Sequence, residues 1–170
     1  MKTEKRNLVY FITLTIVVVA TSFAPILKTG DRAPDFILTN INGGSISLNA
    51  YKDKIVVIHL WSHTCPHCRE SNKTLPDIVH PYKKSNLAYI MIDIDKDTAG
   101  WRSVINADRL DFAIQLTDPY DGDSKTLIVY NGLGTPCINV ADEKGNLIAL
   151  NSTNIQLKKI LRQCFPSVKS

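Results

Sequence analysis

Two kinds of hydrophobic pattern divide this chain. Ile55-Val56-Val57-Ile58-His59-Leu60 and Leu87-Ala88-Tyr89-Ile90-Met91-Ile92 are unbroken apolar runs rich in β-branched residues, the pattern of strands buried on both faces. Between and around them the apolar positions are spaced more widely. Phe36, Ile37 and Leu38, then Ile46 and Leu48, flank Asn42-Gly43-Gly44, a turn that joins two antiparallel strands. Lys52-Asp53-Lys54 leads into the strand over 55–61. From Pro66 to about Tyr82 the composition is helical, with Pro76 kinking or restarting the helix and Pro81 ending it. Acidic Asp93, Asp95 and Asp97 follow the second apolar strand. A helix around Ala99–Arg109 carries Trp101, Val104 and Ile105 on its apolar side.

The rest of the chain reads in shorter pieces. Phe112–Leu116 is a strand, Asp118 to Asp123 a turn, and Ser124 or Asp123 the cap of a short helix reaching Tyr130. Cys137–Val140 and Leu147–Leu150 bracket Asp142-Glu143-Lys144-Gly145-Asn146, a hairpin with glycine at its tip. Thr153 or Asn154 caps a last amphipathic helix to about Cys164, with Ile155, Ile160 and Leu161 expected to be buried. The order is β-β-β-α-β-α-β-α-β-β-α. A helix joining the strands at 55–61 and 87–92 makes a right-handed parallel crossover, and the last two strands make an antiparallel hairpin. The expected class is α/β: a mixed central sheet with helices on both faces, begun by an N-terminal β-hairpin.

Composition changes this picture mainly at the N-terminus. A chain of 170 residues suits one domain, and 44% hydrophobic against 21% charged residues excludes a disordered protein. Lys2, Lys5, Arg6 and Lys28, set against Glu4, supply three units of the formal charge of +4. The remainder is nearly neutral and has no basic run, which gives no reason to expect nucleic-acid binding. The basic start precedes an apolar stretch from Leu8 to about Ala24, then Pro25. Residues 1–28 are therefore expected to be a signal peptide or a single N-terminal membrane anchor, and residues 29–170 the folded domain. Leu8 to Leu27 is long enough to span roughly 30 Å at 1.5 Å per residue. Basic residues ahead of the span place the domain outside the cytoplasm, membrane-anchored or, after cleavage, secreted.

That compartment matters because all four cysteines, Cys65, Cys68, Cys137 and Cys164, lie in the exported part. Trp61-Ser62-His63-Thr64-Cys65-Pro66-His67-Cys68 sits where the first apolar strand hands over to a helix. A spacing of i and i+3 puts both sulfurs on one helix face, and backbone N–H groups at a helix start favour a thiolate. The pattern predicts a redox dithiol. His63 and His80 invite a metal reading with the two cysteines, but a second ligand pair is missing, so no metal is expected.

Four landmarks, in order, carry a resemblance: Gly30-Asp31-x-Ala33-Pro34-Asp35-Phe36; Trp61 with Cys65-Pro66-His67-Cys68; Gly134-Thr135-Pro136; and the hairpin Asp142-Glu143-Lys144-Gly145-Asn146. Over about residues 30–165 the chain resembles the TlpA/ResA-type branch of the thioredoxin-like thiol–disulfide oxidoreductases. The resemblance implies a thioredoxin-like fold with an inserted strand–helix unit at 93–116. It implies Cys65 as exposed nucleophile, Cys68 as resolving cysteine, and Pro136 as a cis-proline beside them, with substrate docking on the Thr135 backbone. Trp61 and Pro136 would shape the docking surface. No cofactor is implied, since the cysteines carry the electrons. The implied partners are exported protein thiols or disulfides and a membrane or extracytoplasmic dithiol redox protein.

Three departures stand out. Pro66-His67 matches the dipeptide of strongly oxidising DsbA-type proteins, while the rest of the domain resembles reductants; His67 either tunes the thiolate or only solvates the helix start. The acid that ResA-type proteins carry three residues after the second cysteine is Ser71, and the buried acid of thioredoxin is replaced by His59. His59 is then either a proton shuttle for Cys68 or a hydrogen-bonded core residue. Cys137, directly after Pro136, is either a third redox thiol or a small buried hydrophobe, and Cys164 should lie too far away to pair with it. The expected function is extracytoplasmic thiol–disulfide exchange. A thiol peroxidase on the same fold is the alternative enzyme, although Cys65 lacks the Pro-x-x-x-Thr-x-x-Cys setting of peroxiredoxins. A membrane-tethered binding module is the non-enzymatic alternative.

Overall fold

The computed structural model describes residues 26–119, 124–130 and 134–168. The apolar stretch read as a signal or anchor falls almost wholly outside them, as does Asp123. Among the described residues no helix is long and apolar enough to cross a membrane.

The two unbroken apolar runs become the centre of the sheet. Strand β1 is Ile37–Asn40, β2 Ser45–Ser47, β3 Ile55–Trp61, β4 Leu87–Asp93, β5 Ile114–Thr117, β6 Cys137–Ala141 and β7 Leu147–Ala149. They form one seven-stranded sheet in the order β2-β1-β5-β4-β3-β6-β7. β3, β4 and β5 run parallel, and every other pairing is antiparallel. All seven residues of β3 are buried, as two covered faces require.

Alternation along β3 and β4 separates the two halves of the core. Ile55, Val57, Trp61, Tyr89 and Met91 face Leu75, Trp101, Ile105, Leu157 and Leu161. Val56, Ile58, Leu60, Ile90 and Ile92 face Phe36, Leu48, Leu127 and Tyr130. Helices α1 (Pro66–Asn72), α2 (Leu75–Val79), α3 (Trp101–Ala107) and α5 (Asn154–Cys164) belong to the first side, and α4 (Lys125–Val129) to the second. The expected α/β fold with helices on both faces, the N-terminal hairpin and the inserted strand–helix unit are all present.

Local differences have local causes. The helix expected over 66–82 is interrupted: α1 ends at Asn72, α2 restarts with Pro76 in its first turn, and His80–Tyr82 closes as a 3-10 turn around Pro81. β5 begins at Ile114 rather than Phe112, whose ring instead meets Tyr89 and His80 edge-on at 5.4 and 5.7 Å between centroids. Ile155, expected in the core, is 84% exposed, because Leu157 and Leu161 take the inward stripe of α5. The Gly30–Phe36 segment serves as an edge cover. Gly30 N–H donates to Leu147 O, Leu147 N–H to Asp31 O, and Ala33 N–H to Gly145 O. Phe36 then packs against Tyr130.

Candidate active site

Parallel strands finish side by side. Trp61 is opposite Asp93 at the ends of β3 and β4, so the loop entering α1 lies against the residues after Asp93. On its other side β3 pairs with β6, and Leu60 is opposite Cys137, which brings Gly134-Thr135-Pro136 to the same end. Three segments distant in sequence thus meet where β3 stops.

Cys65 caps the start of α1. Its φ and ψ of −80° and 115° are extended, and its Sγ accepts the Cys68 N–H at 3.4 Å. Pro66 follows at the first helical position, where a missing N–H costs nothing. The Cys68 N–H, followed by the Cys68 thiol and the His67 N–H, holds the Cys65 thiol below its ordinary range, against partial burial and the Asp95 charge. Cys68 is fully buried, and burial pushes its thiol up to about 11, with the Thr135 hydroxyl acting against that rise. One thiol is primed as a thiolate and its neighbour kept protonated. The pair is asymmetric by placement alone.

The Thr135–Pro136 peptide bond is cis, as the resemblance implied. Beside it an open groove of about 560 Å³ is lined by His67, Ser71, Thr135, Pro136, Asn154 and Ile155, among others. His67 is exposed, and its backbone N–H is what reaches the Cys65 sulfur. Trp61 does not shape this surface. It is fully buried at the end of β3, because its position faces the helical layer with Cys68 rather than solvent. Ser71 uses its carbonyl to accept the Asn154 amide at 2.7 Å and so ties α1 to α5.

His59 is fully buried on the Cys68 side of β3. Its Nδ1 is 3.2 Å from the Tyr89 hydroxyl, and Nε2 has no hydrogen-bond partner among the described residues. Burial lowers its pKa to about 3, so the ring is neutral at any ordinary pH. An imidazole that weak is a poor acceptor for a thiol proton held at about 11. The geometry matches the hydrogen-bonded core reading.

Cys137 and Cys164 lie on opposite sides of the sheet, Cys137 with the Leu60 side and Cys164 with the Leu161 side. They cannot bridge. Cys137 also faces away from Cys68, with its Sγ donating to Tyr130 O at 3.6 Å, and burial raises its pKa. A small buried hydrophobe is its reading here.

His63 and His80 do not converge on the cysteines. His80 meets the edge of Phe112, whereas His63 is buried between two carboxylates that local sequence marks only as acidic residues after a strand. His63 Nδ1 is 2.7 Å from Asp93 Oδ2 and 3.0 Å from Asp95 Oδ2. Asp93 also accepts the His63 and Asp95 N–H groups, and Asp95 accepts Ser62 Oγ, Thr64 N–H and Thr64 Oγ1. The three ligand-type atoms lie within 4.8 Å of one another, but each oxygen is already engaged by an N–H or O–H of the loop. The arrangement is a hydrogen-bonded clamp on the residues just ahead of Cys65. The signal that would have found it is the parallel pairing of β3 with β4, which places the residues after each strand side by side.

A Cys-x-x-Cys at the junction of a central strand and a helix, beside a cis-proline at the start of the neighbouring strand of a mixed sheet, defines a thioredoxin-like protein. The family described as AhpC/TSA matches residues 29–150, and the chain belongs to that family. Among curated proteins it is 22% identical over 143 residues to the thiol-disulfide oxidoreductase ResA of Bacillus thuringiensis subsp. konkukian, covering 82% of this chain and 80% of that protein. It is 29% identical over 121 residues to the thioredoxin-like protein YneN of Bacillus subtilis, covering 70% and 68%. Among solved structures, the C-terminal domain of a putative thiol-disulfide oxidoreductase from Bacteroides thetaiotaomicron superposes with a TM-score of 0.73 at 27% identity, covering 82% of this chain and 97% of that one. These findings bear out the resemblance to the TlpA/ResA type.

Proposed function

We propose that this protein is an extracytoplasmic thiol–disulfide oxidoreductase that exchanges disulfides with exported proteins through Cys65 and Cys68. The observation that carries the reading is the asymmetry of the pair: a helix-capping Cys65 thiol held low beside a buried Cys68 thiol held high. Names of relatives support it, since ResA is a thiol-disulfide oxidoreductase.

In the reducing direction the Cys65 thiolate attacks a substrate disulfide, forming a Cys65–substrate disulfide and releasing one substrate thiolate, which takes up a proton. Cys68 then loses its proton and attacks Cys65 Sγ. The Cys65–Cys68 disulfide forms, the second substrate thiolate leaves, and two electrons have passed to the substrate. In the oxidising direction a substrate thiolate attacks Cys65 of the intramolecular disulfide, and Cys68 departs as a thiolate that takes up a proton. The substrate's second thiol then loses its proton and attacks the substrate sulfur of the mixed disulfide, forming the substrate disulfide and releasing Cys65 as a thiolate. Only Cys65 faces solvent enough for the first step; Cys68 acts from within. The groove at Thr135-Pro136 supplies a docking edge for an extended polypeptide.

The location rests on the basic start and the apolar stretch from Leu8 to about Ala24, which read as an export signal or membrane anchor. A membrane or extracytoplasmic dithiol protein would restore the pair after each turnover. Insulin reduction and refolding of a reduced substrate test the proposal. Cys65→Ser should abolish both, and Cys68→Ala should accumulate as a mixed disulfide with substrate. Full activity in the Cys65→Ser protein would overturn the reading.

A further inference from the structure

The clamp beside the dithiol holds a charge that thiol–disulfide exchange does not itself require. The Asp95 carboxylate is gripped by three consecutive residues ahead of Cys65: Ser62 Oγ at 2.9 Å, His63 Nδ1 at 3.0 Å, and Thr64 through its N–H at 2.9 Å and its Oγ1 at 3.0 Å. Ser62 Oγ in turn accepts the Cys65 N–H at 3.1 Å. The carboxylate is therefore joined to the nucleophile's own backbone through one hydroxyl. Asp95 is 19% exposed at its side chain, whereas Asp93 behind it is fully buried. Asp95 is thus the carboxylate of the two that lies toward the surface.

We propose that Asp95 is a positioning residue that sets the redox poise of the Cys65–Cys68 pair, its fixed negative charge opposing the Cys65 thiolate. The proposal rests on the thiol–disulfide reading above. Its physical basis is that the reduced pair carries a thiolate and the disulfide carries no charge. A carboxylate anchored near the sulfur penalises only the reduced form, and a partly buried pair is screened less than an exposed one. In the balance oxidised protein + 2 glutathione thiols ⇌ reduced protein + glutathione disulfide, that penalty shifts the equilibrium to the left. The protein becomes a weaker oxidant than it would be without the carboxylate. In the same sense, Asp95 is a Coulombic influence raising the Cys65 thiol, against the dominant lowering by the Cys68 N–H.

Arg69, Glu70 and Lys73 line an open groove with His63, Thr64 and Pro66 beside this spot. His63 from the same loop and Asp93 from the end of β4 face Asp95, and Cys68 from α1 faces Cys65. His63 Nδ1 donates between both carboxylates and so moderates their field at the sulfur.

The test uses the folded chain in glutathione redox buffers, with the Cys65 thiolate titrated by its ultraviolet absorbance. Asp95→Asn keeps an acceptor of the same shape and removes the charge. It should lower the Cys65 pKa and move the glutathione equilibrium roughly three- to tenfold toward the reduced protein; a tenfold change corresponds to about 30 mV for two electrons. Asp95→Glu keeps the charge and should stay near the parent on both readouts. His63→Gln, which uncovers the carboxylates, should move both readouts the opposite way and provides the test if Asp95→Asn does not fold. Unchanged pKa and equilibrium in folded Asp95→Asn, or a shift of the same sign in His63→Gln, would overturn the proposal. Loss of insulin reduction in Cys65→Ser, measured separately, tells whether the exchange reading itself stands.

Discussion

At Cys65 the decisive contacts are main-chain ones. An N–H donated to sulfur stabilises the thiolate and does nothing for a disulfide, so reactivity is written into the first turn of α1. The consequence is selective chemistry. Iodoacetamide should label Cys65 first, with a pH midpoint below that of Cys68, Cys137 or Cys164, whose thiols are all raised by burial. Peptide mapping across a pH series checks this, and uniform labelling would contradict it. His59 makes a separate prediction about stability. Its folded pKa of about 3 lies below the unfolded value of 6.5, so the unfolded chain binds the extra proton between those limits. Stability supplied by the neutral ring is whole above pH 6.5 and is lost as pH falls toward 3. Asp93, raised by burial, acts in the opposite sense at the acidic end. Replacing His59 by Phe should therefore flatten the acid side of the pH–stability curve by up to about 1.4 kcal/mol per pH unit, read from denaturant melts. An unchanged slope would mean the ring is protonated in the fold.

At the level of elements, α1 is only Pro66–Asn72, too short to hold its place by its own hydrogen bonds. It is fastened from outside. Arg69 grips Asp108 after α3 in a two-pronged ion pair, both contacts at 2.7 Å, and Asn154 of α5 reaches the Ser71 carbonyl. Asp108 is nearly buried and Arg69 about one-third exposed, so screening limits the pair's worth. Arg69→Ala should destabilise the protein by about 1–2 kcal/mol, mostly by leaving Asp108 without its partner. A melt with unchanged midpoint would show that α1 is held by packing alone. The far end of the groove depends on α5, whose start is fixed by a reciprocal cap between Thr153 and Gln156. Thr153→Ala should cost about 1 kcal/mol.

Across the whole molecule, the seven-stranded sheet brings the ends of β3 and β4 and the start of β6 to one edge, and the redox pair sits at that meeting point. If Asp95 opposes the Cys65 thiolate as proposed, a reduction potential well below the DsbA figure of roughly −120 mV, toward the thioredoxin figure of roughly −270 mV, is expected. Equilibration with glutathione measures it, and a value at the DsbA end would mean that the carboxylate has no hold on the pair. Much of this architecture was legible in order along the chain. Continuous β-branched runs, the Asn-Gly-Gly turn, the helix-breaking prolines and the Cys-x-x-Cys spacing are local signals, set by propensity and covalent geometry. The inward stripe of α5, the burial of Trp61, the separation of Cys137 from Cys68 and the His63–Asp93–Asp95 clamp were not. Each depends on which face of the sheet a position takes or on which strand lies beside which. Local sequence could name the two thiols, but only side-by-side packing of β3 and β4 could join Asp95 to the residues just ahead of one of them.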